Sequence, residues 1–402
     1  MKRLYLSMVL QHFKENDQML FLVGPRQVGK TTIAKQVQEK FHESVYLSWD
    51  VVANRTMMSE NQNFIEDIFS IKKIRTEKPL VIFDEIHKYR DWKNWLKGFF
   101  DLYKDHYHIL VTGSARLDIF KTGSDSLMGR YFLCRVHPIS VGEILNQELP
   151  THEVRKQLKV NKDIWDALYS YGGFPQPFIK CNKAFSTKWK GLRKKQLFYD
   201  DIATMANIQE LAQIEVLGDI LRYQTGQLLN RTSLSKKVQV SIPTITRWLQ
   251  TLERFYYCFL VKPWHKNIPR SLIKEPKVYL WDWSDISDPG MRCENFVACH
   301  LLKMVHLYND LGFGYFDLYF IRNKDQKEVD FLVSRNDKPW IIVEAKYSDN
   351  NAISKNLEYF KEQSKALHSF QVVHNMPYVD KDCFAFEGPV IVSSQTFLSQ
   401  LV

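Results

Sequence analysis

The run Gly24-Pro25-Arg26-Gln27-Val28-Gly29-Lys30-Thr31, written GPRQVGKT, has the spacing G-x-x-x-x-G-K-[ST]. Residues of this type in this order hold phosphate. Successive backbone N–H groups surround the anion, glycine permits the backbone geometry, and the helix that follows points its positive end at the charge. Lys30 would reach the β- and γ-phosphates of a nucleoside triphosphate, and Thr31 would hold Mg²⁺, with Thr32 beside it. Gly24 to Thr32 is therefore the expected cofactor segment, and ATP with Mg²⁺ the expected pair. Asp84 and Glu85 close the apolar run PLVIFDEIHKY and suit the same chemistry. Asp84 fits a carboxylate on the Mg²⁺ side, and Glu85 a base that polarises the attacking water. Ser114, in the polar tip of HILVTGSAR, is expected to sense the γ-phosphate.

A second constellation lies near the C-terminal end. Asp330 sits in KEVDFLV, and Glu344 and Lys346 sit in PWIIVEAKYS. Side chains two apart on a strand share a face, so Glu344 and Lys346 stand together. A carboxylate in the apolar setting of Asp330 is costly without a partner. Mg²⁺ or Mn²⁺ held by oxygens between Asp330 and Glu344 would meet that cost. Glu294, expected in the first turn of the helix MRCENFVACHLLKMV, would complete the shell. Lys346 would steady an attacking water or the charged phosphorane. That set would cleave a phosphodiester; the alternatives are surface charges on ordinary strands, or a domain that binds nucleic acid without cutting it.

The elements that position these residues follow from the pattern. Met19–Val23, Leu80–Phe83 and His108–Thr112 read as buried strands, with SVYLSWD and RYFLCRVHPIS as further strands. Strands alternating with helices predict a mainly parallel α/β sheet with its chemistry at the strands' carboxyl ends. Residues 145–210 read as helical, broken by the turn YGGFPQPF. KWKGLRKKQ, Lys188–Gln196, is a basic run that suits a solvated face or an anion contact.

TSLSKKVQVSIPTITRWLQTLERF reads as a helix-turn-helix. Ser241 caps the second helix, Pro243 stands in its first turn, and Ile245, Trp248, Leu249 and Leu252 form its buried face. Thr244, Thr246, Arg247 and Gln250 point elsewhere and are candidate nucleic-acid contacts. The strand–turn–strand that follows suits a wing. Lys262, His265, Lys266, Arg270, Lys274 and Lys277 crowd its turn, where they would neutralise phosphates; Lys266 and Arg270 are the leading candidates.

On these motifs residues 18–145 resemble the AAA+ superfamily, in particular the prokaryotic ATPases that open with GPRQVGKTT. The resemblance extends to DEIH followed by Trp92, to Thr112-Gly113-Ser114, and to Gly129-Arg130 ahead of the fifth strand. It implies that Arg130 is an arginine finger reaching a neighbouring subunit's ATP, with Arg116 as runner-up. Shared sites imply a homo-oligomer, with a hexameric ring among the forms. The order Glu, Asp, Glu-x-Lys resembles the PD-(D/E)XK restriction-endonuclease-like fold, in which this ATPase family typically ends. The implied organisation is a P-loop AAA+ domain over 1–145, a helical lid and winged helix over 146–280, and a nuclease-like α/β domain over 281–402.

Composition bounds these readings. The chain has 402 residues, a net charge of +10 and 14% aromatic residues, enough for several cores and suited to an anionic partner. Its six cysteines carry no C-x-x-C pair, as in a reducing compartment. The opening MKRLYLSMVLQHFKEND reads as a helix and not a signal peptide, and no run approaches the ~20 apolar residues of a membrane span. The expectation is a cytoplasmic ATPase acting on DNA, mostly through backbone contacts and with no membrane partner. An ATP-gated, Mg²⁺-dependent nuclease and a signalling ATPase that grips a protein are the alternatives.

Overall fold

Residues 1–60, 63–69, 73–113, 127–203, 210–264, 275–348 and 352–402 are described by a computed structural model of the chain. They divide into two compact units. The first comprises Met1–His137 with Gln147–Leu149, and the second Pro138–Asn146 with Pro150–Val402.

In the first unit five strands form one parallel sheet. They are β1 (Met19–Val23), β2 (Ser44–Ser48), β3 (Leu80–Asp84), β4 (His108–Thr112) and β5 (Tyr131–Arg135), in the order β2-β3-β4-β1-β5. Every residue of β1 and β3 is buried, which is why MLFLV and LVIFD are continuous apolar runs without alternation. The helix Trp92–Tyr103 repeats Trp92, Trp95, Leu96, Phe99, Phe100 and Tyr103 at helical spacing and buries that stripe. Phe83 meets Trp95 and Phe99 edge-on, with centroids 5.2 and 5.0 Å apart. The opening segment is the helix Leu4–Glu15. His108 heads β4 half-buried, packed on Phe13 at 4.8 Å.

The second unit holds a mixed sheet of seven strands in the order β12-β11-β10-β9-β8-β6-β7. These are β6 (Cys258–Pro263), β7 (Lys277–Leu280), β8 (Phe316–Arg322), β9 (Glu328–Arg335), β10 (Lys338–Lys346), β11 (His368–Val373) and β12 (Pro389–Ser393). β6 and β7 form the antiparallel pair expected as a wing, and β6 also pairs in parallel with β8. The sheet therefore runs through residue 280, and segments 146–280 and 281–402 share it. Asp288 caps the 22-residue helix Pro289–Asp310, with Pro289 in the first turn where its missing N–H costs nothing. Glu294 lies one turn further into this helix than the sequence suggested.

Ahead of the sheet run helices Lys162–Tyr171, Pro175–Lys180, Lys183–Lys195, Leu211–Tyr223, Arg231–Val238 and Ile242–Arg254. Gly172 ends the first at φ 84°, where an added Cβ would lie 2.6 Å from Asp282 Oδ1. The expected Gly-Gly-Phe-Pro turn is therefore a tight backbone approach. Asn230 and Ser241 cap the last two helices, accepting from Ser233 N and Thr244 N at 2.7 and 3.2 Å. Leu234, Val238, Ile245, Trp248, Leu249 and Leu252 join one core with Val278 and Leu280 of β7.

Candidate functional site

The strand registers set Leu22, Thr112 and Asp84 side by side across β1, β4 and β3. The loop leaving β1 at Val23 thus opens beside the Asp84-Glu85 end of β3. Gly24 adopts φ 151° with its Cα against Val136, whose carbonyl oxygen would lie 2.3 Å from an added Cβ. Gly29 adopts φ 103° as the loop enters the helix Lys30–Gln38. Only glycine fits either position without displacement. Lys30 is buried, and its Nζ donates to the carbonyls of Gly24 and Pro25 at 2.9 and 2.8 Å. The loop thereby carries its own ammonium at the mouth of the phosphate cradle. Thr31 and Thr32 stand exposed at the helix start.

Asp84 is buried and accepts from two hydroxyls, Thr112 Oγ1 and Tyr46 Oη. Thr31, at the start of the helix that follows the loop, lies within electrostatic reach of the same phenol. Burial, then Asp84, holds the Tyr46 phenol far above its ordinary range. A hydroxyl and a carboxylate beside a phosphate cradle form an all-oxygen donor set, which fits Mg²⁺. Glu85 follows at φ 56°, a left-handed conformation uncommon for a side-chain-bearing residue, and its N–H donates to Thr112 O at 3.0 Å. Burial raises its carboxyl pKa above the usual carboxylate range, with Lys88 opposing. Among the described residues its Oε2 has no hydrogen-bond partner, although His87 Nε2 and Lys88 Nζ lie at 3.5 and 3.6 Å. A poised, desolvated carboxylate of this kind suits a general base.

Arg130 is placed at the far end of β1, where its carbonyl accepts from Met19 N. Four strand steps, about 13 Å, separate that end from the loop. Its guanidinium forks onto Asp101 at 2.7 and 3.0 Å. Ser114, Arg116, His265, Lys266, Arg270 and Lys274 lie outside the described residues. Arg247 and Gln250 are exposed on their helix. Thr244 and Thr246 are half-buried, and their hydroxyls engage Ser241 Oγ and Ile242 O at 2.9 and 3.1 Å. The basic run is matched internally: Lys190 pairs with Asp285, Arg193 with Asp282, and Lys194 with Glu215 and Asp219.

The C-terminal constellation converges, but with an additional member. Asp330 on β9, Glu344 and Lys346 on β10 and Glu294 on the long helix are brought together, joined by Glu328. Lys277, expected among the charges of a phosphate-facing turn, is instead 3% exposed on β7. Its Nζ lies 2.7 Å from Glu328 Oε1, 3.2 Å from Glu294 Oε1 and 3.3 Å from Asp330 Oδ1. Burial alone would drive this ammonium's pKa down, but Asp330, Glu294 and Glu328 outweigh it and hold it above its ordinary value. Asp330 Oδ2 accepts from Ala345 N at 3.0 Å, and Tyr279 Oη donates to Glu294 Oε1 at 2.7 Å. Glu294 is pushed up to about 7 by burial and then by Asp330. Lys346 pairs with Glu344 at 2.7 Å. No group of His, Cys, Asp and Glu open to a metal ion occurs among the described residues. At the expected divalent-cation residues Glu294, Asp330 and Glu344, the Lys277 ammonium bridges two of the three, Glu294 and Asp330.

Three family profiles match consecutive parts of the chain. Residues 16–145 match an AAA domain. Most of that match, residues 16–137, lies in the first unit. Residues 162–284 and 289–382 match two domains of unknown function, DUF8612 and DUF4143. Two mycobacterial proteins, "Uncharacterized protein Mb2031c" of Mycobacterium bovis and "Uncharacterized protein Rv2008c" of Mycobacterium tuberculosis, are each 22% identical over 354 residues. Each alignment covers 84% of this chain and 72% of the relative. AMPPCP-bound DnaA from Aquifex aeolicus aligns at TM-score 0.32 and 14% identity, over 62% of this chain and 87% of DnaA. C. elegans PCH-2 aligns at TM-score 0.25 and 13% identity, over 62% of this chain and 65% of PCH-2. Likenesses this loose carry no functional weight. No helix among the described residues is long and apolar enough to cross a membrane.

Proposed function

We propose that the chain binds and hydrolyses ATP in its AAA domain and acts on DNA through its second unit. The observation that carries the first half is the buried Asp84, held by the Tyr46 and Thr112 hydroxyls at the strand end beside the glycine loop, one residue from the desolvated Glu85. Backbone N–H groups of Gly24–Thr32 wrap the phosphates, and the ammonium of Lys30 moves from the loop carbonyls to the β- and γ-phosphate oxygens. Glu85 orients a water toward the γ-phosphorus and takes its proton as the oxygen–phosphorus bond forms and ADP departs. Positioning and charge stabilisation supply the acceleration. Bound Mg²⁺, held by Thr31 and Asp84, would neutralise charge on the β- and γ-phosphates. Arg130 faces away from the subunit's own loop, which favours a role toward a neighbouring copy in a homo-oligomer.

The DNA half rests on the +10 charge and on the capped helix Ile242–Arg254, which presents Arg247 and Gln250 to solvent. Contacts through such a surface are mainly to phosphate and weaken steeply with salt. ATP turnover measured with and without forked or duplex DNA at low salt tests it. Stimulation that Arg247→Ala and Gln250→Ala reduce is expected. Turnover indifferent to DNA, from a folded protein that binds none, contradicts the DNA half and favours a protein partner.

A further inference from the structure

Three features of the second unit's charged cluster belong together. Lys277 reaches it from β7 and contacts Glu294, Glu328 and Asp330 within 3.3 Å. Glu294 is packed against the backbone, since an added Cβ on Gly226 would stand 3.0 Å from both of its carboxylate oxygens. Glu344 is 6% exposed, and its Oε2 has no hydrogen-bond partner among the described residues. A divalent cation in this space would need oxygens at about 2.0–2.6 Å. It would have to expel an ammonium that already has three carboxylate partners. Half-buried carboxylates crowded together without a cation are costly, so the lysine supplies the charge that their crowding requires.

We propose that the Lys277 ammonium is a built-in replacement for a divalent cation: it closes the Glu294–Glu328–Asp330 cluster beside Glu344, so this unit holds its sheet together without metal and does not cleave phosphodiesters. Lys277 belongs to β7, inside the segment 162–284, whereas the carboxylates lie in or beyond the helix at 289–310. The lock therefore also staples the β6–β7 pair to β9 and to the long helix. The proposal is independent of the ATPase reading.

The test uses the full chain, nucleotide-free, with Mn²⁺ as probe and free Mn²⁺ read by electron paramagnetic resonance. Wild type is expected to bind no Mn²⁺ that Asp330→Asn removes, and to leave plasmid uncut in Mn²⁺. Lys277→Met, which keeps an unbranched side chain, is expected to gain one Mn²⁺ site at least ten-fold tighter than any in wild type. That site should disappear in the double variant Lys277→Met/Glu344→Gln. A Mn²⁺-dependent rise in the melting temperature of Lys277→Met alone is the second readout. Wild-type binding or cleavage that Asp330→Asn abolishes overturns the proposal. So does a folded Lys277→Met that gains no site, because the ammonium would then be an ordinary ion-pair partner. If Lys277→Met fails to fold without metal, recovery in Mn²⁺ supports the proposal and failure to recover opposes it.

Discussion

Glu85 has lost most of its water, has no hydrogen-bond partner on Oε2 among the described residues and occupies a left-handed backbone conformation. A structural role needs none of these, whereas a base waiting for a water needs the first two. Glu85→Gln should leave nucleotide affinity within a few-fold and lower turnover at least about 10²-fold, as expected for loss of a general base. Nucleotide titration followed by phosphate release on one preparation separates the two quantities. Gly24→Ala should instead damage binding, because its new methyl meets Val136 O and displaces the loop. The residues of this site were legible where the chemistry is local. The loop and the Asp-Glu pair are contiguous runs with fixed spacing. Tyr46 and Thr112 were not, since what makes them partners of Asp84 is the order β2-β3-β4, which no local pattern encodes. Lys277 was misread for the same reason. In the sequence it follows a basic turn, and only the β6–β8 pairing carries it inward to Glu294, Glu328 and Asp330.

Among the elements, the short helix Val141–Leu145 is anchored in the second unit by an ion pair buried on both sides. Lys303 Nζ lies 2.5 Å from Glu143 Oε2 and also donates to Pro138 O at 3.1 Å. Removing one partner of such a pair leaves an uncompensated buried charge, so Glu143→Ala should cost the second unit about 3–5 kcal/mol in urea unfolding. Glu143→Ala/Lys303→Met should recover much of it. His300 sits beside this pair with both ring nitrogens committed. Nδ1 donates to Phe296 O at 2.7 Å, and Nε2 accepts from Val141 N at 3.1 Å. Burial lowers its pKa to about 3, and protonation would set one N–H against another. The unfolded chain, with an ordinary imidazole pKa of about 6.5, binds that proton first. The contribution of His300 is therefore complete above pH 6.5. It falls by about 1.4 kcal/mol per unit as the pH drops toward 3. Unfolding of wild type and His300→Gln across that range should show the slope reduced in the variant. Periodicity announced the helices themselves, Trp92–Tyr103 and Ile242–Arg254 above all. The buried charges on them carry no periodic signal.

At the scale of the molecule, the division into two units follows contacts rather than sequence landmarks. The stretch after β5 leaves the first unit at His137, while the AAA profile match continues to residue 145. The second unit's sheet likewise continues through residue 280, where a hairpin and a nuclease-like domain were expected to separate. Net charge acts at this scale too. DNA affinity should fall as salt rises, with a log–log slope set by the phosphates neutralised, about 0.9 for each. Fluorescence anisotropy between 50 and 200 mM salt measures that slope, and Arg247→Ala should reduce it by about 1 if Arg247 meets a phosphate.

The central claim is that the Gly24–Thr32 loop, Asp84 and Glu85 form one working ATP site. Phosphate release from ATP with Mg²⁺ by wild type, Lys30→Ala and Glu85→Gln, each shown folded, tests it most directly. Turnover by wild type alone, with nucleotide retained by Glu85→Gln and lost by Lys30→Ala, is the predicted result. Wild type that neither binds nor hydrolyses ATP, or Lys30→Ala that hydrolyses it at the wild-type rate, would contradict it.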